Sequence, residues 1–267
     1  MKRHEFLREL HKATANRNYL VIGVNDGRSL RLSRVPSIAV DPAFKVTSEL
    51  RCDVHLVRAT SDDFFARRDP LAHLRGGRHP LRNLARGRHP LGHWRRATLD
   101  LAFIDGMHLF EFALRDFINV ERHCDWSSVI VLDDMLPRGV DEAARERHTT
   151  AWTGDVYKLT EILSRHRPDL VIVPVDTEPT GQFVVFGADP RNPVLRRRYH
   201  EIVAEYEVPD PQKVPEDVLE RVRAVRPGTL LRAGFWKPLV RARKRGLDRS
   251  RGWEPLRGAL ERAAVSR

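Results

Sequence analysis

Cysteine is scarce in this 267-residue chain: Cys52 and Cys124 are the only two, too few for a disulfide framework and expected as reduced thiols. No apolar run reaches the roughly 18 residues that a spanning helix needs. Nor does a charged, apolar and small-residue leader open the sequence, so neither a membrane span nor a secretory signal is expected and the setting reads as cytoplasmic. Lysine is rare as well, with seven of the 47 cationic residues. A GC-rich genome produces such an arginine bias without selection for binding, so the net charge of +11 is weak support for a nucleic-acid partner. The dinucleotide pattern G-x-G-x-x-G is also missing. The glycines after the first apolar run, Gly23 and Gly27, read G-x-x-x-G, which speaks against a nicotinamide dehydrogenase.

What is present is organised. Residues 101–104 (LAFI) and 129–132 (VIVL) are short apolar runs ending in acids, Asp105 in the first and Asp133 and Asp134 in the second. Runs of this kind are buried parallel strands that deliver carboxylates to the carboxyl edge of a sheet. Between them, residues 109–118 carry apolar side chains at helical spacing, so the unit is strand, helix, strand. Upstream, residues 19–22 and 37–40 are further apolar runs, followed by Gly23 and by Asp41. Gly23 and Gly27 allow a sharp turn and close approach to a ligand. Asp41 suits the two hydroxyls of a ribose, since one carboxylate accepts from both. The pattern predicts a doubly wound α/β fold over the first two thirds of the chain.

In order, these segments resemble the class I S-adenosylmethionine-dependent methyltransferases. YLVIGVNDG (19–27) looks like the first motif, SIAVDP (37–42) like the second strand with its acid, and VHLVRA then TSDDFF (54–65) like the third strand and its loop. FIDGMH (103–108), a helix and VIVLDD (129–134) are similar to the fourth and fifth motifs, in particular to a bacterial group with Asp-Gly-x-His after the fourth strand. The likeness spans about residues 17–187. It implies a mostly parallel, seven-stranded Rossmann-like sheet, with residues 171–175 and 182–187 as an antiparallel terminal pair. It further implies S-adenosylmethionine as cofactor, held by Gly23, Asn25, Asp26, Gly27, Asp41, Ser61, Asp62 and Asp105. Val21 departs from the pattern, standing where such enzymes commonly carry an acid for the methionine ammonium.

Three carboxylates on one rim, Asp105, Asp133 and Asp134, either raise one another's pKa or hold a hard divalent cation. The set is similar to the Mg²⁺ site of catechol-type and macrolide-sugar O-methyltransferases. The alternative is that Asp105 orients the cofactor and Asp133 or Asp134 caps a following helix. His108 is placed either as a general base beside an acceptor hydroxyl, with Asp105 as its catalytic companion, or against the adenine end of the cofactor. The long polar segment 135–153 is the expected place for acceptor recognition, with Trp152, Asp155 and Lys158 either lining that pocket or serving ordinary helix entry with Thr153 as cap.

The charge is uneven. Residues 67–96 carry +8 and residues 221–267 carry +11, which leaves −8 for the rest. The first basic block is a near-repeat of His-Pro-Leu, too rich in Pro and Gly for a helix and too cationic for its histidines to favour a metal, so it reads as an insertion. The domain organisation expected is a methyltransferase domain over 1–208 with that insertion, then a basic extension over 209–267. The extension either packs its few apolar residues on the domain or lies on an anionic surface such as a membrane. The function expected is O-methylation of a small-molecule hydroxyl on a sugar, polyketide or phenol. A nucleic-acid methyltransferase and a cofactor-free interaction module are the alternatives.

Overall fold

The computed structural model describes residues 1–75 and 97–265. Its strands are β1 (Tyr19–Ile22), β2 (Ser37–Val40), β3 (Val54–Val57), β4 (Leu101–Ile104), β5 (Val129–Asp133), β6 (Val171–Val175) and β7 (Gln182–Phe186). They form one sheet in the order β3-β2-β1-β4-β5-β7-β6, parallel except for β7, which runs antiparallel to both neighbours. Every residue of β1, β2, β4 and β5 is buried, as largely apolar runs covered on both faces must be. The chain leaves β1 in one direction to β2 and β3 and returns on the other side to β4. The crevice between the carboxyl ends of β1 and β4 is therefore the switch point of the sheet. Register puts Ile22 opposite both Val40 and Ile104, and Ile104 opposite Leu132, so the acids that follow these strands emerge at one level.

Helices cover both faces. On one side lie α2 (Ser61–Phe65), α3 (Ala72–Arg75), α4 (Phe110–Glu121), α5 (Leu159–His166) and α6 (Val194–Tyr206). Helix α4 shows why: Phe110, Ala113, Leu114, Phe117 and Ile118 recur at helical spacing and make one buried stripe. Its first amide, on Phe110, donates to Asp155 Oδ1 at 2.9 Å, a cap supplied from 45 residues away.

The opposite face is built by α1 (Arg3–Thr14) and the basic C-terminal segment, which contributes α8 (Pro227–Arg232), α9 (Trp236–Lys244) and α10 (Arg249–Val265) after the short α7 (Glu216–Leu219). The extension thus packs its apolar residues into the core. Trp253 is fully buried, and its ring lies against Gly187 after β7, while the Trp126 ring before β5 lies against Gly252 of α10. A side chain at either glycine would collide with an indole. Deleting a buried Trp of this kind costs about 3–5 kcal/mol, so α10 is as much part of the core as any strand. Arg243 of α9 penetrates as well, donating to the carbonyls of Thr14 at 3.0 Å and Ser127 at 2.5 Å, which ties the end of α1 to the turn before β5. No helix among the described residues is long and apolar enough to cross a membrane. Most of the His-Pro-Leu repeat, residues 76–96, lies outside the described residues. Its first part forms α3, with Arg75 paired to Asp69.

Candidate active site

A cleft of about 860 Å³ opens at the switch point. Its floor is the turn after β1. Gly23 has φ +85°, and a Cβ there would run into the Asp105 carbonyl, so the backbones after β1 and β4 meet at a distance only glycine permits. Asp41 braces this turn: Oδ2 accepts from the amides of Val24 (2.8 Å) and Asn25 (2.9 Å), and Oδ1 accepts from Ala43 (2.6 Å). The residue expected to meet a ribose thus also positions the glycine turn, and it lines the cleft together with Gly23, Asn25, Ser61, Asp62, Asp105, His108 and Asp134. Asp26 and Gly27 stand back from the wall. Asp26 pairs with Arg28 at 2.6 Å and its carbonyl receives Thr47 and Ser48, while Gly27 packs on Val46.

The carboxylates divide in a way that the set Asp105, Asp133 and Asp134 did not anticipate. Asp133 is the last residue of β5 and its side chain is wholly buried, accepting from Gln182 Nε2 at 3.0 Å and Arg3 Nη1 at 2.7 Å. Asp134, at φ 60°, turns the other way, takes a hydrogen bond from the Thr180 hydroxyl and faces the cleft. The donor atoms that converge belong to Asp105, His108 and Asp134, all within 4.8 Å of one another. No helix follows β5 directly, so helix capping by Asp133 or Asp134 is not realised.

His108 is held on three sides. Nδ1 meets the Trp152 carbonyl at 2.7 Å, Nε2 lies 3.2 Å from Asp105 Oδ1 and 3.3 Å from Asp134 Oδ2, and the imidazole stacks on the Trp152 ring at 5.2 Å. Burial opposes its charge. The hydrogen bond to Asp105 and the fields of Asp134 and Asp105 outweigh it and bring the imidazole up to about 9. Raised in this way, the imidazole favours its protonated form at neutral pH. Burial and Asp133 push Asp105 upward, and burial and Asp134 push Asp133 up to about 6.

Arg3, from the first turn of α1, reaches into this cluster. Its Nη1 lies 3.8 Å from both Asp105 Oδ2 and Asp134 Oδ2 in addition to its contact with Asp133. Burial disfavours the guanidinium charge, but the three carboxylates hold it. Arg3 carries no signal in the sequence, because only the pairing of residues 2–3 with Glu178, next to the β7 turn, delivers it here.

On the β3 side the cleft ends at Ser61, Asp62, Phe112 and Asp116. Asp62 pairs with Arg115 at 2.7 Å. Asp116 was not singled out in the sequence, although an acid among the apolar positions of α4 was a usable signal. Of the segment 135–153, Arg147, Thr150, Ala151 and Trp152 reach the cleft wall. Asp155 and Lys158 do not. They bond each other at 2.8 Å in the core, where Asp155 also receives Arg145. Thr153 donates to the Glu142 carbonyl and makes no cap, so helix entry is served by Asp155, on α4. Val21 is buried on the α1 side of the sheet and brings no polar group to the cleft.

Residues 20–135, from β1 to just past β5, match the model of a methyltransferase domain family. Among solved structures, the chain is similar to an O-methyltransferase from Bacillus cereus in complex with S-adenosylhomocysteine (14% identity, 69% of this chain and 80% of that one, TM-score 0.44). It is similar also to the O-methyltransferase TomG from Streptomyces achromogenes, involved in tomaymycin synthesis and bound to S-adenosylmethionine (16%, 70% and 79%, TM-score 0.44). A third is the S-adenosylhomocysteine-bound methyltransferase PaMTH1 from Podospora anserina (12%, 70% and 78%, TM-score 0.46). No curated protein matches the sequence. The strand order with its antiparallel seventh strand, together with the match over residues 20–135, gives this chain the fold of the class I S-adenosylmethionine-dependent methyltransferases.

Proposed function

We propose that the chain is a methyltransferase that transfers the methyl group of S-adenosylmethionine to a hydroxyl of a small molecule. The observation that carries this reading is the cleft at the β1/β4 switch point, which Gly23, Asp41, Ser61, Asp62 and Asp105 line together. With Val24, Asn25 and Ala43 already donating to it, Asp41 keeps an acceptor position on Oδ1 for a ribose hydroxyl. Ser61 and Asp62 take the adenine end. The methionine end lies by Gly23, and with Val21 in the core its ammonium falls to Asp105.

The acceptor then enters from the His108 side, under Trp152 and the wall made by Arg147, Thr150 and Ala151. Methyl transfer asks mainly for the acceptor oxygen, the methyl carbon and the sulfur to be held in line. His108, protonated and fixed by the Trp152 carbonyl, orients the acceptor and keeps the charge of Asp105 and Asp134 in check. Asp134, which faces the cleft and is raised by burial, is the group placed to receive the hydroxyl proton. A rim of carboxylates repels a polyanion, which is why a small molecule is preferred over nucleic acid as acceptor.

For a divalent ion, Asp105, His108 and Asp134 supply a plausible donor set by position. Arg3 Nη1 already stands 3.8 Å from both Asp105 Oδ2 and Asp134 Oδ2. The residues as arranged do not fit a metal, and no step above depends on one.

Calorimetric titration with S-adenosylhomocysteine tests the reading. Saturable one-site binding is expected, and Asp41→Ala should weaken it at least tenfold because two backbone amides of the floor, on Val24 and Asn25, lose their acceptor along with the ribose contact. An absence of heat at millimolar ligand overturns the enzyme assignment in favour of an interaction module. Tight, salt-sensitive RNA binding would turn the acceptor toward nucleic acid.

A further inference from the structure

We infer that Arg3 is the resident counter-ion of the carboxylate cluster and that it keeps divalent metal out of the Asp105, His108 and Asp134 site, so that methyl transfer here is metal-independent. The second half of this statement rests on the methyltransferase reading, whereas the first half stands on geometry alone.

Three carboxylates gathered at one sheet edge require compensating positive charge. In this chain the charge is covalently attached. Arg3 Nη1 bonds the wholly buried Asp133 at 2.7 Å and faces Asp105 Oδ2 and Asp134 Oδ2 at an equal 3.8 Å, while His108 Nε2 lies 3.2 Å from Asp105 Oδ1 and 3.3 Å from Asp134 Oδ2. An ion shared by Asp105 and Asp134 sits about 2–2.6 Å from its oxygens. That would place a double positive charge close to a fixed guanidinium in a partly buried site, where repulsion is little screened.

Arg3 is not a mobile surface side chain that steps aside. Its amide donates to the Glu178 carbonyl at 3.0 Å, Lys2 bridges to the same residue, and the helix it opens is anchored by Phe6, Leu7 and Leu10, all wholly buried. Asp133 is in turn fixed by Gln182 at the start of β7, two residues after the Thr180 that holds Asp134. The β6–β7 loop that holds Asp134 through Thr180 is thus the loop that the arginine's segment pairs with through Glu178.

The test is direct metal binding to the full chain after chelator treatment, read as loss of the free Mn²⁺ signal in electron paramagnetic resonance. The parent protein should take up no Mn²⁺ below 1 mM, a ceiling on the order of the weakest cation sites. Arg3→Met should bind one equivalent at least a hundredfold more tightly, and Arg3→Met with Asp134→Asn should lose that binding. One equivalent of Mn²⁺ held by the parent as tightly as by Arg3→Met overturns the inference. So does an Arg3→Met protein that melts like the parent yet binds none. Arg3→Gln serves as the second variant should the methionine protein not fold, and the parent measurement needs no variant at all. Titration of S-adenosylhomocysteine into chelator-treated parent protein separates the two readings: failure there removes the methyltransferase proposal and leaves the Mn²⁺ result standing.

Discussion

Asp116→Asn should make this protein more stable above pH 7 and leave it nearly unchanged near pH 4. Asp116 is 4% exposed on α4, its carboxylate beside Gly106 and near the Ser61 side chain. Among the described residues no cation comes within ion-pair distance of it, because the neighbouring Arg115 is committed to Asp62. Burial, aided by the charge of Asp62 and only partly opposed by Ser61 and Arg115, raises the carboxyl from 3.8 to about 7. The unfolded chain therefore releases this proton first, and stability falls as pH rises from about 4 to about 7. Three pKa units correspond to roughly 4 kcal/mol. Asparagine has nearly the shape of the protonated acid and cannot ionise, so the variant should gain about 2–4 kcal/mol at pH 8, with the gain vanishing by pH 4. Urea unfolding of both proteins at pH 4.5, 6 and 8 reads this as a shift in midpoint at constant slope. A difference independent of pH, or a loss of stability at pH 8, would refute the reasoning, for either would mean that the carboxylate is compensated in the folded state. A carboxyl kept in a cleft wall against such a gradient points to use at the site, as perturbed acids in clefts often do.

Two further outcomes follow from the packing. Gly23→Ala should cost about 2–4 kcal/mol and abolish S-adenosylhomocysteine binding, since a Cβ at φ +85° forces apart the turns after β1 and β4; thermal melting with and without ligand checks both. Arg167→Met should cost about 3–5 kcal/mol near neutral pH, because it strands the buried Glu121 that Arg167 holds at 2.5 Å. Part of that loss should return in acid, where Glu121, already raised by burial, takes a proton; unfolding at pH 5 and 7.5 measures the difference.

Much of the active-site plan could be read from local sequence. A four-residue apolar run followed by glycine or aspartate is a buried strand with its functional group at the carboxyl end. That rule located Gly23, Asp41, Asp105 and Asp134, which register then brings to one level. The same rule did not separate Asp133 from Asp134. Asp133 ends β5 with its side chain buried, whereas the backbone turns at Asp134 (φ 60°) and presents that carboxylate to the cleft, where His108 takes the third place in the cluster.

What the sequence determined by itself was the set of elements and the order of their edges, since hydrophobic period and turn chemistry act within about ten residues. Tertiary structure alone decided what meets those edges. Arg3 enters the carboxylate cluster because an N-terminal segment pairs beside the β7 turn, Asp155 caps a helix 45 residues upstream, and the basic C-terminal segment buries Trp253 under the sheet. Each joins segments far apart in the chain. Their complementarity of charge and shape exists only once the sheet has set the distance between them, and a pattern read along one strand of sequence carries no record of it.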